Sequence, residues 1–230
     1  MNVIVAWSGG KDSALALYTV LTGCRYNVLG LLTTFTEDYN RVTMHGVRRS
    51  LVLDQAEALD LPLYEVFIPK GCSIDVYEER MSRAMSNLKQ IGVEGVVFGD
   101  IYLEDVRRYR EENLAKIGVK AIFPLWGWDP YLTARRFIEL GFKAVVVCVD
   151  SRILDESFTG RLFDQSFLEN LSGDIDPCGE RGEFHTFVFD GPIFRRRVNF
   201  KIGEIVLRDG FYYCDLIPLS DSQARTISQP

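Results

Sequence analysis

The sequence predicts an α/β protein: a doubly wound parallel sheet followed by a smaller strand-rich region. Up to about residue 150, short apolar runs alternate with longer segments of helical periodicity. These runs are apolar throughout, which is typical of parallel strands covered on both faces. After Asp150 the alternation ends and strand-like runs follow one another directly. Two of them are joined by Asp209-Gly210, a strong signal for a two-residue hairpin.

Local patterns predict each element of the first region. Val3–Trp7 is a short apolar run, and helical spacing begins after Ser8-Gly9-Gly10, with an expected stop at Gly23. The later strands are predicted at Val28–Phe35, Leu63–Ile68, Gly95–Gly99, Ala121–Leu125 and Ala144–Val149. The later helices are predicted at Val47–Leu59, Ile74–Ile91, Glu104–Ile117 and Tyr131–Leu140.

The sequence divides into a domain over residues 1–150 and a C-terminal region over residues 151–230. In the second region, strands are predicted at Phe184–Phe189, Phe194–Phe200, Glu204–Leu207 and Phe211–Ile217. The polar tail after Pro218 is expected to be mobile.

Composition narrows the classes of function. The net charge is −6 and the pI is near 5.1, which does not favour a nucleic-acid partner. Arg195-Arg196-Arg197 is the tightest basic run; a solvated face is expected there, with RNA phosphates as the alternative. Five separated cysteines without a CxxC, and only two histidines, argue against disulfides, structural zinc and iron–sulfur clusters. No apolar run could cross a membrane, so a cytoplasmic location is expected.

The segment Ser8-Gly9-Gly10-Lys11-Asp12-Ser13 carries the chemistry of an anion site. It follows the first strand, at the edge of the sheet where ligands of α/β proteins bind. Its glycines allow backbone N–H groups to converge on an anion, and the following helix adds its positive end. Asp12 beside phosphates requires a metal between them, and magnesium is the natural candidate. The spacing does not fit a Walker A loop, because Val5 stands where that motif needs glycine.

These residues resemble the PP-loop of the N-type ATP pyrophosphatases. The segment Gly179–Val188, with Asp190-Gly191-Pro192 after it, resembles the C-terminal signature of the diphthine–ammonia ligase family, and Val97–Asp100, Pro124–Trp126 and Gly160–Asp164 resemble further blocks of it. The resemblance covers essentially the whole chain. It implies a ligase that uses ATP and magnesium to adenylate a carboxylate, releases pyrophosphate, and lets ammonia displace AMP. The acceptor it implies is diphthine, a modified histidine on elongation factor 2.

The sequence departs from that family pattern at two positions. Members that amidate diphthine carry glycine where Arg181 stands and an acidic residue where His185 stands. Both positions lie in the segment expected to face the acceptor. The alternatives that remain open are the same adenylating chemistry on another small molecule or on tRNA, and a nucleotide sensor without turnover.

Several polar residues outside the loop are candidates for the site. Glu180 and Glu183 precede a strand in a glycine-rich segment; they could complete a magnesium site or bind ammonia, or be solvated loop carboxylates. His45 and His185 could each act as a base, because histidine titrates near neutrality, or be ordinary packed side chains. Cys178 could be a glutaminase nucleophile, but no segment for a second pocket is evident, and free ammonium is the expected nitrogen donor.

The ends of two strands complete the predicted nucleotide site. Thr33 and Thr34 end the second strand, and Gly99-Asp100 ends a central one, where Asp100 could alternatively cap the next helix. The predicted nucleotide-binding residues are Ser8, Gly9, Gly10, Lys11, Asp12, Ser13, Thr33, Thr34, His45, Gly99 and Asp100. The predicted catalytic residues are Lys11, Asp12, Glu180, Glu183 and His185, with Asp12 as the metal ligand.

Overall fold

The computed structural model describes residues 1–220, so most of the tail predicted to be mobile lies outside the described residues. The strands of the described part are β1 (Asn2–Ala6), β2 (Asn27–Thr36), β3 (Arg41–Val42), β4 (Leu63–Ile68), β5 (Gly95–Val97), β6 (Lys120–Ile122), β7 (Lys143–Asp150), β8 (Phe184–Asp190), β9 (Phe200–Arg208) and β10 (Phe211–Pro218). The helices are α1 (Lys11–Thr22), α2 (Arg49–Leu59), α3 (Ile74–Gln90), α4 (Glu104–Ala115), α5 (Pro130–Glu139) and α6 (Gln165–Asn170).

The first sheet confirms the predicted doubly wound architecture. Five parallel strands lie in the order β4-β2-β1-β5-β6, and the short β3 pairs antiparallel with the end of β2. From β1 the chain first adds strands on one side and then returns to add β5 and β6 on the other. The loops after β1 and β5 therefore diverge and leave a crevice between them, the usual place for a ligand in such sheets.

The residues of β1 show how the sheet is covered on both faces. Val3 and Val5 point into a large apolar cluster that includes side chains of α1, α2 and α5. Ile4, between them, points to the opposite face, into a smaller cluster with Met85 of α3 and Leu114 of α4. Because alternate side chains of a strand face opposite sides, an uninterrupted apolar run is what such a two-sided position requires.

The second sheet is antiparallel, in the order β8-β7-β10-β9. The sequence analysis was wrong in assigning Ala144–Val149 to the parallel sheet, because this strand forms β7 and pairs with β8 and β10. An apolar strand buried on both faces gives the same sequence pattern in either sheet. The division of the chain into domains at residue 150 stays a prediction, but the two sheets separate between β6 and β7.

The hairpin between β9 and β10 confirms the turn predicted at Asp209-Gly210, and both residues have positive φ, at 51° and 84°. A strand predicted at Phe194–Phe200 is absent; β9 begins only at Phe200. The preceding backbone bonds to separate partners instead of a neighbouring strand: Arg195 N–H donates to Ala58 O, and Val198 N–H donates to Phe189 O. Such scattered pairing satisfies the backbone without forming a ladder.

Ion pairs join the second sheet to the first. The Asp215 carboxylate of β10 accepts two hydrogen bonds from Arg48, at 2.9 and 2.6 Å, and lies 2.9 Å from Arg41 of β3. These arginines lower the pKa of Asp215 below its usual range. The contacts fix the loop between β3 and α2 against the second sheet. None of the helices within residues 1–220 has the length and apolar character needed to cross a membrane.

Candidate active site

The glycines of the Ser8–Ser13 loop are required by its backbone. Gly9 has φ +80°, and a side chain there would meet Gln55 Oε1 at 2.7 Å. Gly10 precedes α1 in an extended conformation, and a side chain there would crowd His45 and Thr186. The Ser13 hydroxyl donates to Gly10 O at 2.9 Å. The first turn of α1 therefore follows directly from the loop, so the positive end of the helix lies beside an anion placed there.

Residues of α2 and β8 that the sequence did not indicate form hydrogen bonds with the loop. Gly9 O accepts hydrogen bonds from Val188 N–H of β8 at 2.8 Å and from Gln55 Nε2 of α2 at 3.0 Å. Gln55 is fully buried and its Oε1 accepts from Trp7 Nε1 at 2.9 Å. Lys11 N–H donates to the Thr186 hydroxyl at 3.0 Å. The second sheet thus forms part of the loop's support.

Lys11 does not line the cavity beside the loop. Its side chain is 4% exposed, and its ammonium contacts both Asp12 carboxylate oxygens, at 3.0 and 2.8 Å, and donates to Cys178 O. Burial opposes the charge, but attraction by Asp12, Cys178 and Glu180, together with the hydrogen bond to Asp12, outweighs it and raises the pKa of Lys11. The ammonium therefore stabilises the Asp12 carboxylate and attaches the segment before β8. The predicted contact of Lys11 with phosphates stays a prediction.

A cavity of about 820 Å³ opens at the carboxyl edge of the parallel sheet. It runs from the Ser8–Ser13 loop toward a cleft between α3 and α4. Nine of the predicted site residues line it, namely Ser8, Asp12, Ser13, Thr34, His45, Gly99, Asp100, Glu180 and His185. Its volume is in the range of pockets that hold a nucleotide-sized ligand.

Five predicted residues do not line this cavity: Gly9, Gly10 and Lys11 of the loop, and Thr33 and Glu183. Thr33 is buried, and its hydroxyl donates to Trp7 O at 2.6 Å, so it joins β2 to the end of β1. Glu183 is also buried, and its carboxylate accepts Arg181 N–H at 3.0 Å. Both contacts are structural: they shape the site's surroundings without presenting these side chains to the cavity.

Gly99 and Asp100 lie where the end of β5 meets the loop. A side chain at Gly99 would approach the Asp12 carbonyl carbon to 2.7 Å, so only glycine allows this close approach. Asp100 pairs with Arg110 of α4 at 2.8 Å, and the guanidinium also lies 4.3 Å from the centre of the Phe98 ring. Asp100 is therefore held by α4 while it lines the cavity, and it is not the cap of that helix, which begins after Leu103.

Asp176 organises the segment that carries Glu180, and the sequence analysis missed it. Its carboxylate accepts N–H groups of Cys178, at 2.8 Å, and Glu180, at 3.2 Å. It also accepts the Tyr102 hydroxyl at 2.5 Å. Glu180 Oε1 in turn accepts Ile101 N–H at 2.8 Å. An Asp-Pro-Cys-Gly sequence is a recognisable turn signal, and it could have indicated a carboxylate bonded to its own loop.

Glu180 is poised to exchange a proton near neutral pH. Burial and repulsion by Asp12 and Asp100 raise the pKa of Glu180 to about 7, although the hydrogen bond from Ile101 N–H lowers it. A carboxylate with this pKa suits general acid–base chemistry. By contrast, Cys178 is buried, its thiol donates to Pro130 O at 3.2 Å, and burial raises its pKa. These observations agree with the interpretation that Cys178 is not a nucleophile.

The two histidines form a stacked pair on the wall of the cavity. The rings of His45 and His185 lie 4.5 Å apart at an angle of 27°. His45 Nδ1 lies 3.3 Å from Thr186 O. Burial lowers the pKa of His45 to about 4, and burial together with His45 lowers the pKa of His185 well below its usual value. Both rings are therefore neutral at pH 7 in the free protein.

Comparison with known proteins identifies the family. The diphthamide synthase N-terminal domain matches residues 1–121, and the diphthamide synthase C-terminal domain matches residues 129–217. A diphthine–ammonia ligase of Schizosaccharomyces pombe is 28% identical over 240 residues, covering 94% of this chain and 39% of that protein. The diphthine–ammonia ligase of Homo sapiens is 28% identical over 230 residues, covering 90% and 85%. The chain thus spans well under half of the yeast relative and most of the human one.

A solved structure, a predicted subunit of a tRNA methyltransferase from Methanocaldococcus jannaschii, is 18% identical, with a TM-score of 0.42. The similarity covers 64% of this chain and 80% of that protein, and at this TM-score it does not establish a common fold. The domain matches cover both sheets, including the loop after β1 and the strand β8 that supports it. The chain therefore belongs to the diphthamide synthase family.

Proposed function

We propose that this protein is an ATP-dependent ligase that adenylates a carboxylate, releases pyrophosphate, and transfers ammonia to form an amide. The observation that carries the proposal is the convergence on one cavity of an anion-binding loop and a carboxylate, Glu180, whose pKa is about 7. The names of the relatives, diphthine–ammonia ligase, agree with this chemistry.

ATP is proposed to bind with its phosphates in the Ser8–Ser13 loop. Beyond the loop, the cavity has an apolar floor suited to the adenine ring, formed by Leu32, Val96, Phe98, Met81 and Met85. Thr34 and Asp100 lie between these two parts, where polar contacts with ribose are expected. An apolar slot with a few polar groups at its edge is the usual form of a nucleotide pocket.

Magnesium is proposed to accompany ATP, with Asp12 as its protein ligand. Within residues 1–220, no group of three or more ligating side chains is arranged to hold a metal ion. The proposal needs only one carboxylate, because magnesium is commonly bound by one or two carboxylates together with substrate phosphates and water. When bound, the ion would neutralise charge on the phosphates. Burial raises the pKa of Asp12, and the Lys11 ammonium opposes that rise and holds the carboxylate in position.

The reaction proceeds in two steps. The substrate carboxylate attacks the α-phosphorus of ATP, which forms an acyl-adenylate and releases pyrophosphate toward the loop. Ammonia then attacks the acyl carbon and displaces AMP, and Glu180 accepts the proton that the new amide nitrogen loses. The backbone N–H groups of the loop stabilise the charge that grows on the leaving pyrophosphate.

The acceptor is proposed to be diphthine on elongation factor 2, bound between the loop and the C-terminal region, residues 151–230. A cytoplasmic location follows from this acceptor. The ion pairs of the basic run disfavour an RNA acceptor. Arg195 pairs with Asp60 at 2.5 Å, and Arg196 pairs with Glu57 at 3.0 Å. These two arginines neutralise α2 of this chain instead of forming an open basic surface.

The test is incorporation of ¹⁵N from labelled ammonium into elongation factor 2 that carries diphthine. We expect incorporation that requires magnesium, ATP and the wild-type chain, and that is lost in Asp12→Asn. Asp105→Asn, an exposed carboxylate of α4, is the matched control and should retain activity. ATP cleavage without ¹⁵N incorporation would overturn diphthine as the acceptor, and the absence of both would overturn the ligase assignment.

A further inference from the structure

The stacked histidines lie directly beside the phosphate loop. A side chain added at Gly10 would come within 3.0 Å of His45 Cε1. Both rings line the cavity, and they are the only histidines among the 230 residues. His45 is carried by the loop after β3, where Arg41 donates to Gly46 O at 2.8 Å and also pairs with Asp215. The position of the ring is therefore fixed from both sheets.

The hydrogen bond of His45 determines which nitrogen carries its proton. Nδ1 faces Thr186 O, and a carbonyl oxygen only accepts hydrogen bonds, so Nδ1 holds the hydrogen in the neutral ring. The Nε2 atom is then left with a lone pair. A lone pair repels a phosphate oxygen, so the neutral ring cannot bind the anion that the loop is built to receive.

His185 supports a positive charge on its neighbour instead of competing for it. Its Nε2 is buried and has no hydrogen-bond partner among the described residues. Its ring is stacked on that of His45 at 4.5 Å, inclined by 27°, so its π face is available to a cation. The pair is thus suited to carry one proton, on His45, while His185 stays neutral.

The other charged groups around His45 are already paired or lie across the cavity. Lys11 of α1 opposes protonation of the ring, but its charge is matched by Asp12. Glu180 lines the same cavity from the segment before β8. Tyr213 of β10 and Arg41 of β3 approach the neighbouring Gly46. An arriving polyphosphate therefore brings the negative charge that is needed to stabilise an imidazolium at this point.

We propose that His45 takes up a proton from solvent when ATP binds and contacts a phosphate oxygen as an imidazolium stacked on His185. This inference rests on the proposed function, because it assumes that the Ser8–Ser13 loop holds the phosphates. The cation would then neutralise charge on pyrophosphate as it leaves. The proton returns to solvent when the anion departs.

The experiment is NMR of the untagged full chain with ¹⁵N-labelled histidine, because every imidazole signal then belongs to this pair. Nitrogen shifts distinguish neutral rings from imidazolium. Without ligand, both rings should be neutral from pH 6 to 8. With saturating Mg-ATP, we expect one imidazolium at the lower end of this range, assigned by loss of the His45 signals in His45→Asn. Two neutral rings with Mg-ATP bound at pH 6 would overturn the inference.

Two variants separate the roles of the rings. His185→Phe retains an aromatic face and should still show imidazolium formation at His45; loss of the proton in this variant would place it on His185 and contradict the assignment. Calorimetry between pH 5 and 7 measures the affinity for Mg-ATP. If binding takes up one proton, this affinity falls by about tenfold for each unit by which the pH rises. His45→Asn should remove this pH dependence of the affinity. Any dependence that remains in the variant reports ionisation of the nucleotide itself.

Amide spectra of the uniformly ¹⁵N-labelled chain, recorded under the same conditions, distinguish the inference from the proposed function. If Mg-ATP shifts the backbone amide signals of Gly9 and Gly10 while both imidazoles stay neutral, the loop binds phosphate and only the inference fails. If neither the loop amides nor the imidazoles respond to Mg-ATP, the proposed function fails with it.

Discussion

The phosphate loop and the segment before and along β8 build the same site in different ways. The loop consists of six consecutive residues, Ser8–Ser13, and the groups proposed to bind phosphate there belong mainly to the backbone. The second segment, residues 176–188, contributes side chains and carbonyls that reach the loop from more than 160 positions away in sequence, such as Thr186 on Lys11 N–H and Cys178 O on the Lys11 ammonium. The first part is encoded locally, whereas the second exists only after the two sheets have packed together.

This contrast predicts that the largest loss comes from the cavity-lining carboxylate of the loop, which the Lys11 ammonium connects to the second segment. Asp12 lines the cavity and contacts Lys11, which also binds Cys178 O. Asp12→Ala should lower kcat for AMP formation by at least about a hundredfold, a typical effect of removing a group that stabilises developing charge. Steady-state kinetics with the acceptor and ammonium check this. Near-normal kcat would show that the loop works without its carboxylate.

Glu180→Gln tests the chemistry assigned to the second region. With a pKa of about 7, Glu180 is increasingly ionised as pH rises from 6 to 8, so the rate of amide formation should rise across that window. Glu180→Gln should lower the rate by about a hundredfold and flatten the profile. The pH profile must be measured at constant free ammonia. A variant with the wild-type profile would exclude Glu180 as the proton acceptor.

Thr186→Ala tests the hydrogen bond between the two regions. The substitution leaves the buried Lys11 N–H without its acceptor, which costs about 1–3 kcal/mol. We expect a lower free energy of unfolding and weaker Mg-ATP binding, measured by denaturant titration and calorimetry. Thr186→Ser keeps the hydroxyl and should preserve ATP affinity. Equal losses in both variants would mean that packing, not the hydrogen bond, supports the loop.

The raised pKa of Glu180 also predicts that the variant Glu180→Gln, which lowers the rate, makes the fold more stable at high pH. Because the folded protein retains this proton up to about pH 7 whereas the unfolded chain loses it near the usual value of 4.5, Glu180 makes the fold less stable as pH rises between these values. Glu180→Gln should therefore raise Tm at pH 8 by a few degrees, since each kcal/mol of added stability raises Tm by about 2–4 °C. At pH 4 the substitution should change Tm little. A lower Tm at pH 8 would contradict the assigned environment.

The smallest effect is expected at the surface, away from both regions. Arg196 pairs with Glu57 3.0 Å away, and the Glu57 side chain is 74% exposed. Arg196→Ala should change the free energy of unfolding by less than about 1 kcal/mol, because exposed pairs contribute little. ATP binding should be unchanged. A large loss of activity would indicate that the basic run contacts the acceptor.

The residues that sequence reasoning found and missed follow the same contrast. The loop, the parallel sheet and the Asp209-Gly210 hairpin could be predicted because each depends on neighbouring residues. The roles of Gln55, Thr186 and Asp176 could not, because their partners lie in other elements and their residue types are common. The assignment of β7 to the parallel sheet was wrong for a related reason. The sequence of a strand buried on both faces does not indicate which sheet the strand joins.

The most direct test of the central claim is phosphorus NMR of ATP with the wild-type chain, magnesium, ammonium and elongation factor 2 that carries diphthine. AMP and pyrophosphate should form only when the acceptor is present, and neither should form with Asp12→Ala. Formation of ADP and inorganic phosphate would exclude the proposed chemistry, because cleavage at the γ-phosphate is incompatible with an adenylated carboxylate.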